Sequence, residues 1–402
     1  MPVQKLLQQF KKGRASEWPF NELIAAIRAD AAFAERFATA ALASKAPEGT
    51  YFDLTLGHVP EPGFAPLVSS ALAQLEAGES TGLAESVITY AGLQSPQSLH
   101  PHLERVFRLH VNGGAYYSNY SWRESWPHSR AHLLGVLDSK ALPVERRKAW
   151  ECLLECRTPE SMQQAVQRAP SMALQQTLES CLHEVGFSLQ LAPLYSATVS
   201  HVVFDSNYFR DDRPPWIDRN LHPTWRLQAD DAQLRFGGAA ESECGLCHGN
   251  LHHLLTLPQQ DVSLATCISC MGWEKEVLFY QHGVDGRAAS LDHGDVTPQF
   301  PATALVETTV RLAPTPPRWR WQEWSLANSR ENLFRVGGYP CWIQSSSFPS
   351  CPGCTKNMPL LMQLDSDLPS ENDEQILWGS GGICYVFWCA GCRISAVSEQ
   401  HT

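Results

Sequence analysis

The residues best suited to chemistry in this sequence are cysteines that occur in pairs. Eight of the thirteen cysteines form four Cys-x-x-Cys pairs, which are Cys244/Cys247, Cys267/Cys270, Cys351/Cys354 and Cys389/Cys392. Each pair presents two thiolates on one tight turn, and two such turns supply the four soft ligands of a tetrahedral zinc ion. We therefore expect two structural Zn²⁺ ions, with these eight cysteines as ligands.

The spacing between pairs favours one ion within each half of the cysteine-bearing region. Nineteen residues separate Cys247 from Cys267, which is typical of a four-cysteine zinc site, and thirty-four separate Cys354 from Cys389. One alternative is an ion shared between the first and third pairs. A redox pair is another, although no βαβ pattern of the thioredoxin type accompanies any of the pairs. A third alternative is that His252 replaces one cysteine as a ligand. The second half, however, has Pro359 at the matching position.

Four thiolates leave no open position for water on a zinc ion, and closed sites stabilise folds rather than catalyse reactions. We predict no catalytic residues. The competing hypothesis is a metal-dependent hydrolase that uses the run Asp292-His293-Gly294-Asp295. Asp and Gly favour turns, so this run is more typical of a solvated loop. The chain also lacks a Gly-x-Ser-x-Gly elbow and a His-Glu-x-x-His motif.

The cysteine pairs belong to an internal repeat. Arg235-Phe-Gly-Gly recurs one hundred positions later as Arg335-Val-Gly-Gly. Each copy is followed by the template C-x-x-C-x-x-N-[LM]-x-x-L-[LM]-x-L, which begins at Cys244 in the first copy and at Cys351 in the second. Each copy then supplies its second cysteine pair, so the repeat predicts two similar metal-bearing units.

The hydrophobic pattern predicts an α+β protein with two domains. Residues 1–190 show helical periodicity and predict an all-α domain, either a HEAT-like helical repeat or an irregular bundle. Residues 191–402 predict a β-rich, internally duplicated zinc-binding domain with repeats at about 191–296 and 318–402. The predicted helices are Asn21–Ala43, Phe64–Glu76, Gly82–Leu93, Pro96–Leu109, His128–Leu137, Pro143–Cys156, Pro159–Arg168 and Met172–Val185.

Three shorter patterns give further expectations. Ser95-Pro96 and Thr158-Pro159 predict two helix starts, with a hydroxyl cap before a proline. The run Arg318-Trp-Arg-Trp321 predicts a half-buried strand rather than a nucleic-acid surface, because strict alternation suits a strand. Cys152 and Cys156, one helical turn apart, are expected in the core.

The composition indicates the kind of partner. The formal net charge of −11 disfavours nucleic acid and favours a basic protein partner. We expect no membrane span, because no stretch approaches eighteen consecutive apolar residues, and the N-terminal residues do not resemble a secretory signal. An odd number of cysteines fits a reducing compartment, so a cytoplasmic location is expected.

The C-terminal repeat resembles the YwqG-like family of bacterial proteins over about 330–390, and 191–330 does so faintly. The shared features are the segment Gly337–Gln344, the strand Gln363-Leu-Asp365 and the turn at Trp378-Gly379, with Met358, Leu361 and Gly382–Phe387. Ser380 stands where the family has an acidic residue. The doubled layout is also similar to the programmed-cell-death-2 family.

These resemblances imply a binding module and no catalytic residue. YwqG-like domains are similar to modules of bacterial toxin-immunity proteins, which implies a toxin effector, such as a basic nuclease, as the partner. The programmed-cell-death-2 family implies instead a chaperone or assembly factor for a basic client. The leading hypothesis is an immunity protein; the chaperone and the hydrolase are the alternatives.

Overall fold

A computed structural model describes residues 2–46, 49–78, 82–109, 120–209, 219–327 and 330–402. The chain forms two compact units. One contains Met1–Leu191 together with Pro317–Trp321, and the other contains Ala192–Pro316 and Gln322–Thr402. Within the described ranges, no helix is both long enough and apolar enough to cross a membrane. The expected α+β class is confirmed, with helices in the first unit and strands in the second.

The helical unit is built from short helices that pack against their neighbours in sequence. α5 packs on α6, and α9 packs on both α8 and α10. The helices within the described residues are α1 (Val3–Lys12), α2 (Phe20–Ala29), α3 (Phe33–Ala43), α4 (Thr50–Leu56), α5 (Phe64–Glu76), α6 (Leu83–Gln94), α7 (Leu103–Leu109), α8 (Trp126–Asp138), α9 (Pro143–Glu155), α10 (Pro159–Arg168) and α11 (Leu178–Glu184). α5 buries one apolar face through Leu67, Ala71 and Leu72, whereas α6 is buried all round from Val87 to Gln94.

Three predicted helices are wrong in extent. The single helix expected over Asn21–Ala43 is two helices, because the side chain of Asp30 accepts the amide hydrogen of Ala32 at 2.9 Å and turns the chain. The helix expected from Pro96 begins only at Leu103, after two 3₁₀ turns, since Pro101 supplies no amide hydrogen. The helix expected from Met172 begins at Leu178.

The two predicted proline-led helix starts differ from each other. Thr158 caps α10 as expected, with its hydroxyl oxygen accepting the amide hydrogen of Ser161 at 3.1 Å. Ser95 does not cap a helix, because its hydroxyl donates instead to the carbonyl oxygen of Glu61 at 3.2 Å. The two segments are therefore capped differently, although both have a hydroxyl residue before a proline.

The predicted strand at Arg318–Trp321 is wrong. Pro317–Trp319 form a 3₁₀ turn that belongs to the helical unit. The guanidinium of Arg318 donates to the side-chain oxygen of Gln94 at 2.8 Å and lies 4.5 Å from the ring centre of Trp319. The ring of Trp321 is flanked by the guanidinium groups of Arg123 and Arg157 at 4.8 and 5.3 Å. The aromatic side chains are buried as expected, but in a pocket of arginines rather than in a sheet.

The second unit is dominated by one antiparallel sheet. Its strand order is β3-β4-β2-β8-β1-β9-β10-β13-β14-β6-β7, with β5 paired to β4, and β11 pairs with β12 separately. The strands are β1 (Val199–Phe204), β2 (Leu234–Phe236), β3 (Ala239–Glu243), β4 (Asn250–Leu257), β5 (Val262–Thr266), β6 (Val277–His282), β7 (Ala288–Ser290), β8 (Thr308–Pro314), β9 (Arg335–Gly337), β10 (Leu360–Asp365), β11 (Leu368–Pro369), β12 (Gln375–Ile376), β13 (Ile383–Cys389) and β14 (Ile394–Gln400).

The second repeat begins at β8, earlier than the predicted residue 318, and the two repeats exchange strands across the middle of this sheet. β1, which precedes the first Arg-x-Gly-Gly motif, pairs with β9 of the second motif. β8, which precedes the second motif, pairs with β2 of the first. β1 and β8 then pair with each other, with Val202 opposite Leu312. The predicted duplication is therefore present, but neither repeat is a separate sheet.

The paired glycines of the motifs make this exchange possible. Gly237 and Gly337 both have φ of +72°, which favours glycine. A Cβ on Gly237 would lie 2.4 Å from the carbonyl oxygen of Val306, and one on Gly337 would lie 2.2 Å from that of Thr198. The chain that enters the exchanged strand therefore occupies the space of the missing side chain in both repeats.

We expect Gly337→Ala to lower the free energy of unfolding by at least about 1–3 kcal/mol, because it adds both a left-handed backbone penalty and this overlap. Equilibrium urea unfolding measures the effect. Gly135→Ala in α8 is the control, since a Cβ there meets nothing within 4 Å. The expectation fails if the two variants are equally stable.

Gln363, Asp365 and Trp378 lie in the core of the second repeat. The side-chain oxygen of Gln363 accepts hydrogen bonds from the amide of Cys341 at 3.0 Å and from Arg335 at 3.2 Å. The indole of Trp378 donates to the carbonyl oxygen of Asp365 at 2.9 Å. Gly379–Gly382 form a turn that leads into β13. These side chains hold the fold together.

A buried carboxyl gives the second unit a pH-dependent stability. Burial raises the pKa of Glu399 on β14 to about 7, from the ordinary value of 4.5. The folded state therefore holds this proton more tightly than the unfolded chain. Its contribution to stability is full below about pH 4.5 and declines as the pH rises through 7. We expect Glu399→Gln, which mimics the protonated form, to raise the melting temperature at pH 8 relative to wild type and to reduce that advantage at pH 5.

Candidate metal centres

The four cysteine pairs come together as two groups of four, one in each repeat. The first centre is Cys244, Cys247, Cys267 and Cys270, and the second centre is Cys351, Cys354, Cys389 and Cys392. Within each centre the four sulfur atoms all lie within 4.8 Å of one another. The structure therefore groups the pairs within repeats rather than between the first and third pairs.

Strand pairing positions the first centre. The pair Cys244/Cys247 lies on the turn between β3 and β4, and Cys267/Cys270 comes just after the end of β5. Because β4 pairs with β5, with His252 opposite Thr266, the two turns meet at one end of the hairpin. The second centre is built alike, with one turn before β10 and the other between β13 and β14.

The first turn of each centre has the same backbone geometry. The amide of Cys244 donates to the carbonyl oxygen of Gly249 at 2.8 Å, and that of Cys351 donates to the carbonyl oxygen of Lys356 at 2.9 Å. The residue after the second cysteine is left-handed in both turns, with φ of +59° at His248 and +63° at Thr355. This shared turn aims two sulfur atoms at one point.

The sulfur separations fit a tetrahedral ion. Cys247 and Cys267 lie 3.6 Å apart, Cys244 and Cys270 lie 3.9 Å apart, and the pair Cys354–Cys389 is 3.7 Å apart. Four thiolates at about 2.3 Å from one ion would be about 3.8 Å from each other. A disulfide would need about 2.05 Å, and all of these cysteines are free. Each group of four cysteines therefore fits one metal ion.

One thiol in each centre has a lowered pKa. A hydrogen bond from the Cys267 thiol lowers the pKa of Cys244 below its ordinary value. The backbone amide of Lys356 lowers the pKa of Cys354 to about 7. Burial acts in the opposite direction on Cys270, where it raises the pKa to about 12. A bound cation would complete the deprotonation, because metal ligation requires thiolates.

Side chains around the first centre hold its second turn. The hydroxyl oxygen of Tyr280 accepts the amide hydrogen of Cys267 at 3.0 Å. His252 is not one of the four grouped ligands: its Nδ1 accepts the amide hydrogen of Ile268 at 3.1 Å, and its Nε2 lies 3.2 Å from the carbonyl oxygen of Ala302. These contacts need the neutral ring, and burial lowers the pKa of His252 accordingly.

The supporting residues were missed in the sequence. Tyr280 lies in β6, and the only signal for it was its place in an alternating strand. Gln281, the next residue, donates to the carbonyl oxygen of Cys392 at 2.9 Å, so a strand of the first repeat supports the second centre. This contact depends on the pairing of β6 with β14, which no local pattern indicates.

The proposed hydrolase residues do not converge on an open site. The carboxylate of Asp292 is buried, accepts the amide hydrogen of Phe279 at 2.8 Å and pairs with Lys275. His293 and Asp295 are exposed on the same loop. Gly294, between them, bonds to the first turn, with its amide donating to the carbonyl oxygen of Gly245 at 2.8 Å. The run therefore supports the first cysteine turn of the first centre through a backbone hydrogen bond.

The remaining candidate pair is part of the helical core, as expected. Cys152 and Cys156 are both buried, and the thiol of Cys156 donates to the carbonyl oxygen of Cys152 at 3.2 Å. Burial raises the pKa of Cys156 to about 11, so it stays a neutral thiol. Within the described part of the chain these two cysteines belong to no group of three or more possible metal ligands.

Comparison with known proteins gives one short match. A stretch of 69 residues is 35% identical to the uncharacterized protein YpfL of Salmonella typhimurium, and it covers 17% of this chain and 15% of that protein. No protein-family model matches the chain, and no solved structure does.

Proposed function

We propose that this chain is a non-catalytic cytoplasmic binding protein whose two centres each hold a structural zinc ion. The observation that carries the proposal is the closed set of four cysteine sulfurs in each centre. Tetrahedral sulfur sets select zinc among redox-inert ions, and a site with four protein ligands offers no position for a reacting water. The chemistry of the donors therefore favours a stabilising role.

The partner that we propose is a basic protein. The charge of −11 steers a cationic partner towards the surface and repels phosphate backbones. The finer proposal is a bacterial immunity protein that neutralises a toxin effector, possibly a nuclease, by direct binding. The YwqG-like residues of the second repeat support it.

The test is capture of partners by the tagged full-length chain from its native host, with washes of rising salt and mass spectrometry of the proteins that stay bound. A basic toxin encoded nearby, released as salt rises, is the expected result. A ribosomal or other constitutive basic client would replace the immunity role by the chaperone role. Recovery of no specific protein in any wash would contradict a binding function.

Metal analysis of the same preparation is a separate prediction. We expect two zinc ions per chain by plasma mass spectrometry, with both released when a thiol-modifying reagent attacks the cysteines. Cobalt substitution should give the intense charge-transfer absorption of four thiolates at each site. One ion per chain, or a cobalt spectrum with nitrogen and water ligands, would contradict the assignment.

A further inference from the structure

The two metal centres differ in the segment that joins their second turn to the next strand. In the second repeat, β14 begins at Ile394, so only Arg393 separates Cys392 from the strand. In the first repeat the six residues 271–276 come between Cys270 and β6. This added loop carries Trp273, whose surface is 57% exposed. Single exposed apolar side chains are common, but a contiguous exposed apolar patch marks an interaction site, so the neighbours of Trp273 matter.

A second segment lies against this loop. We call residues 298–304 the proline arm. Phe300 in the arm is 50% exposed, and its ring centre is 4.6 Å from that of Trp273. The aromatic pair formed by Trp273 and Phe300 is thus an exposed apolar surface beside the first centre.

Hydrogen bonds hold the proline arm in place. The amide of Ala302 donates to the hydroxyl of Ser269 at 2.9 Å. Ser269 lies between Cys267 and Cys270 of the first centre. The carbonyl oxygen of Ala302 lies 3.2 Å from His252 Nε2. Farther along, the amide of Glu371 donates to the carbonyl oxygen of Ala304 at 2.9 Å. The arm is therefore fixed to the metal centre rather than being a loose loop.

A cavity of about 460 Å³ lies between the arm and the first centre. The arm supplies Pro298 and Pro301 to its lining, and the opposite side includes Leu251, Cys247 and Cys267. The volume is within the range of about 300–1,000 Å³ found for ligand pockets. An apolar side chain of a partner would fit among these residues.

The charged side chain in the cavity lining is acidic, and Arg235, which donates to the carbonyl oxygen of the lining residue Ala239 at 3.0 Å, is paired with Glu307. The exposed Glu371 lines it, and Glu243 lies directly opposite Asn250, another lining residue, across the β3–β4 pair. Glu274, in the added loop, accepts the amide hydrogen of Gln299 at 3.4 Å. Lys275 in that loop is ion-paired with Asp292. A zinc ion with four thiolates in the first centre would add a formal charge of about −2 beside the cavity.

We infer that this surface docks an extended, basic segment of a protein partner, with one apolar side chain in the cavity and flanking lysines or arginines beside the acidic residues. The aromatic pair covers the apolar part of that segment. This inference rests on the proposed binding function and names the surface that performs it. The second centre has no such loop between its second turn and the next strand.

The probe is a fluorescein-labelled peptide of twelve lysine, arginine and glycine residues with one central leucine, measured by fluorescence anisotropy with the full-length zinc-loaded chain. We expect binding that weakens as salt rises. The double variant W273A/F300A should weaken it at least tenfold, because truncated aromatic anchors dominate interface energies. Exchanging the leucine for glycine should also weaken binding at least tenfold.

The control variant is V284A/L377A, which removes two other exposed apolar side chains of the same unit. It should bind the peptide as wild type does. Because Trp273 and Phe300 are exposed, W273A/F300A should keep two zinc ions and the wild-type melting temperature. Absent binding, or equal binding by W273A/F300A, would overturn the inference. If W273A/F300A still captures the basic partner from the native host, the docking surface is wrong while the proposed function stands; if wild type captures none, the proposed function itself fails.

Discussion

Replacing Cys267 with serine should reduce the zinc content from two ions per chain to one and unfold the region around the first centre. The loss is large because the apparent binding free energy of a structural zinc ion, about 10–16 kcal/mol in zinc-finger peptides, acts as folding free energy. The effect should reach β4 and β5, whose ends carry the two cysteine turns. Zinc analysis and hydrogen exchange of these strands measure it.

Cys181→Ser is the matched control. Cys181 is a free, half-buried cysteine of the helical unit, so the same chemical change should leave both ions in place. The assignment of the first centre fails if Cys267→Ser keeps two zinc ions and the wild-type melting temperature. Loss of both ions from Cys267→Ser would show that the first centre also supports the second, as the contact of Gln281 with Cys392 suggests.

Arg335→Met should lower the free energy of unfolding by about 2–4 kcal/mol, since it leaves buried acceptors without a donor. The guanidinium donates to the carbonyl oxygen of Tyr339 at 2.8 Å and to Gln363, and the side chain is fully buried. Methionine keeps the apolar stem but donates nothing. Equilibrium urea unfolding is the measurement.

The duplication supplies a matched control for this change. Arg235 occupies the equivalent position in the first repeat, but its side chain is 45% exposed and pairs with an exposed Glu307. Exposed ion pairs contribute about 0–1 kcal/mol, so Arg235→Met should have a small effect. Equal destabilisation by the two variants would mean that the contribution of Arg335 to the free energy of unfolding does not depend on its burial.

The sequence predicted the two groups of four cysteines because their information is local. A Cys-x-x-Cys turn brings two sulfur atoms together whatever surrounds it, and the repeated template showed that each half has two turns. It could not predict His252 as a support, because that role depends on the carbonyl oxygen of Ala302, fifty residues away. The cavity and the aromatic pair were missed for the same reason.

The errors in the fold have local and distant causes. Asp30 breaks a helix through a side-chain contact two residues away, a signal that periodicity alone does not register. Trp319 and Trp321 alternate with arginines like a strand, but they are buried in the helical unit, and strand propensity yields to that packing. The exchange of β1 and β8 cannot be predicted from local sequence either. Each repeat taken alone would predict that its strands pair with one another rather than with strands of the other repeat.

The strand exchange has a consequence during synthesis. β1 ends at Phe204, and β8, the earlier of its two sheet partners in the chain, begins at Thr308. At about 5–20 residues per second, the ribosome needs about 5–20 s to make the intervening chain. During that time β1 has no sheet partner, so its backbone amides and carbonyls are unpaired and the strand is prone to aggregation. A nascent-chain chaperone that covers residues 199–204 should therefore increase the yield of folded protein, and a slower ribosome should reduce it.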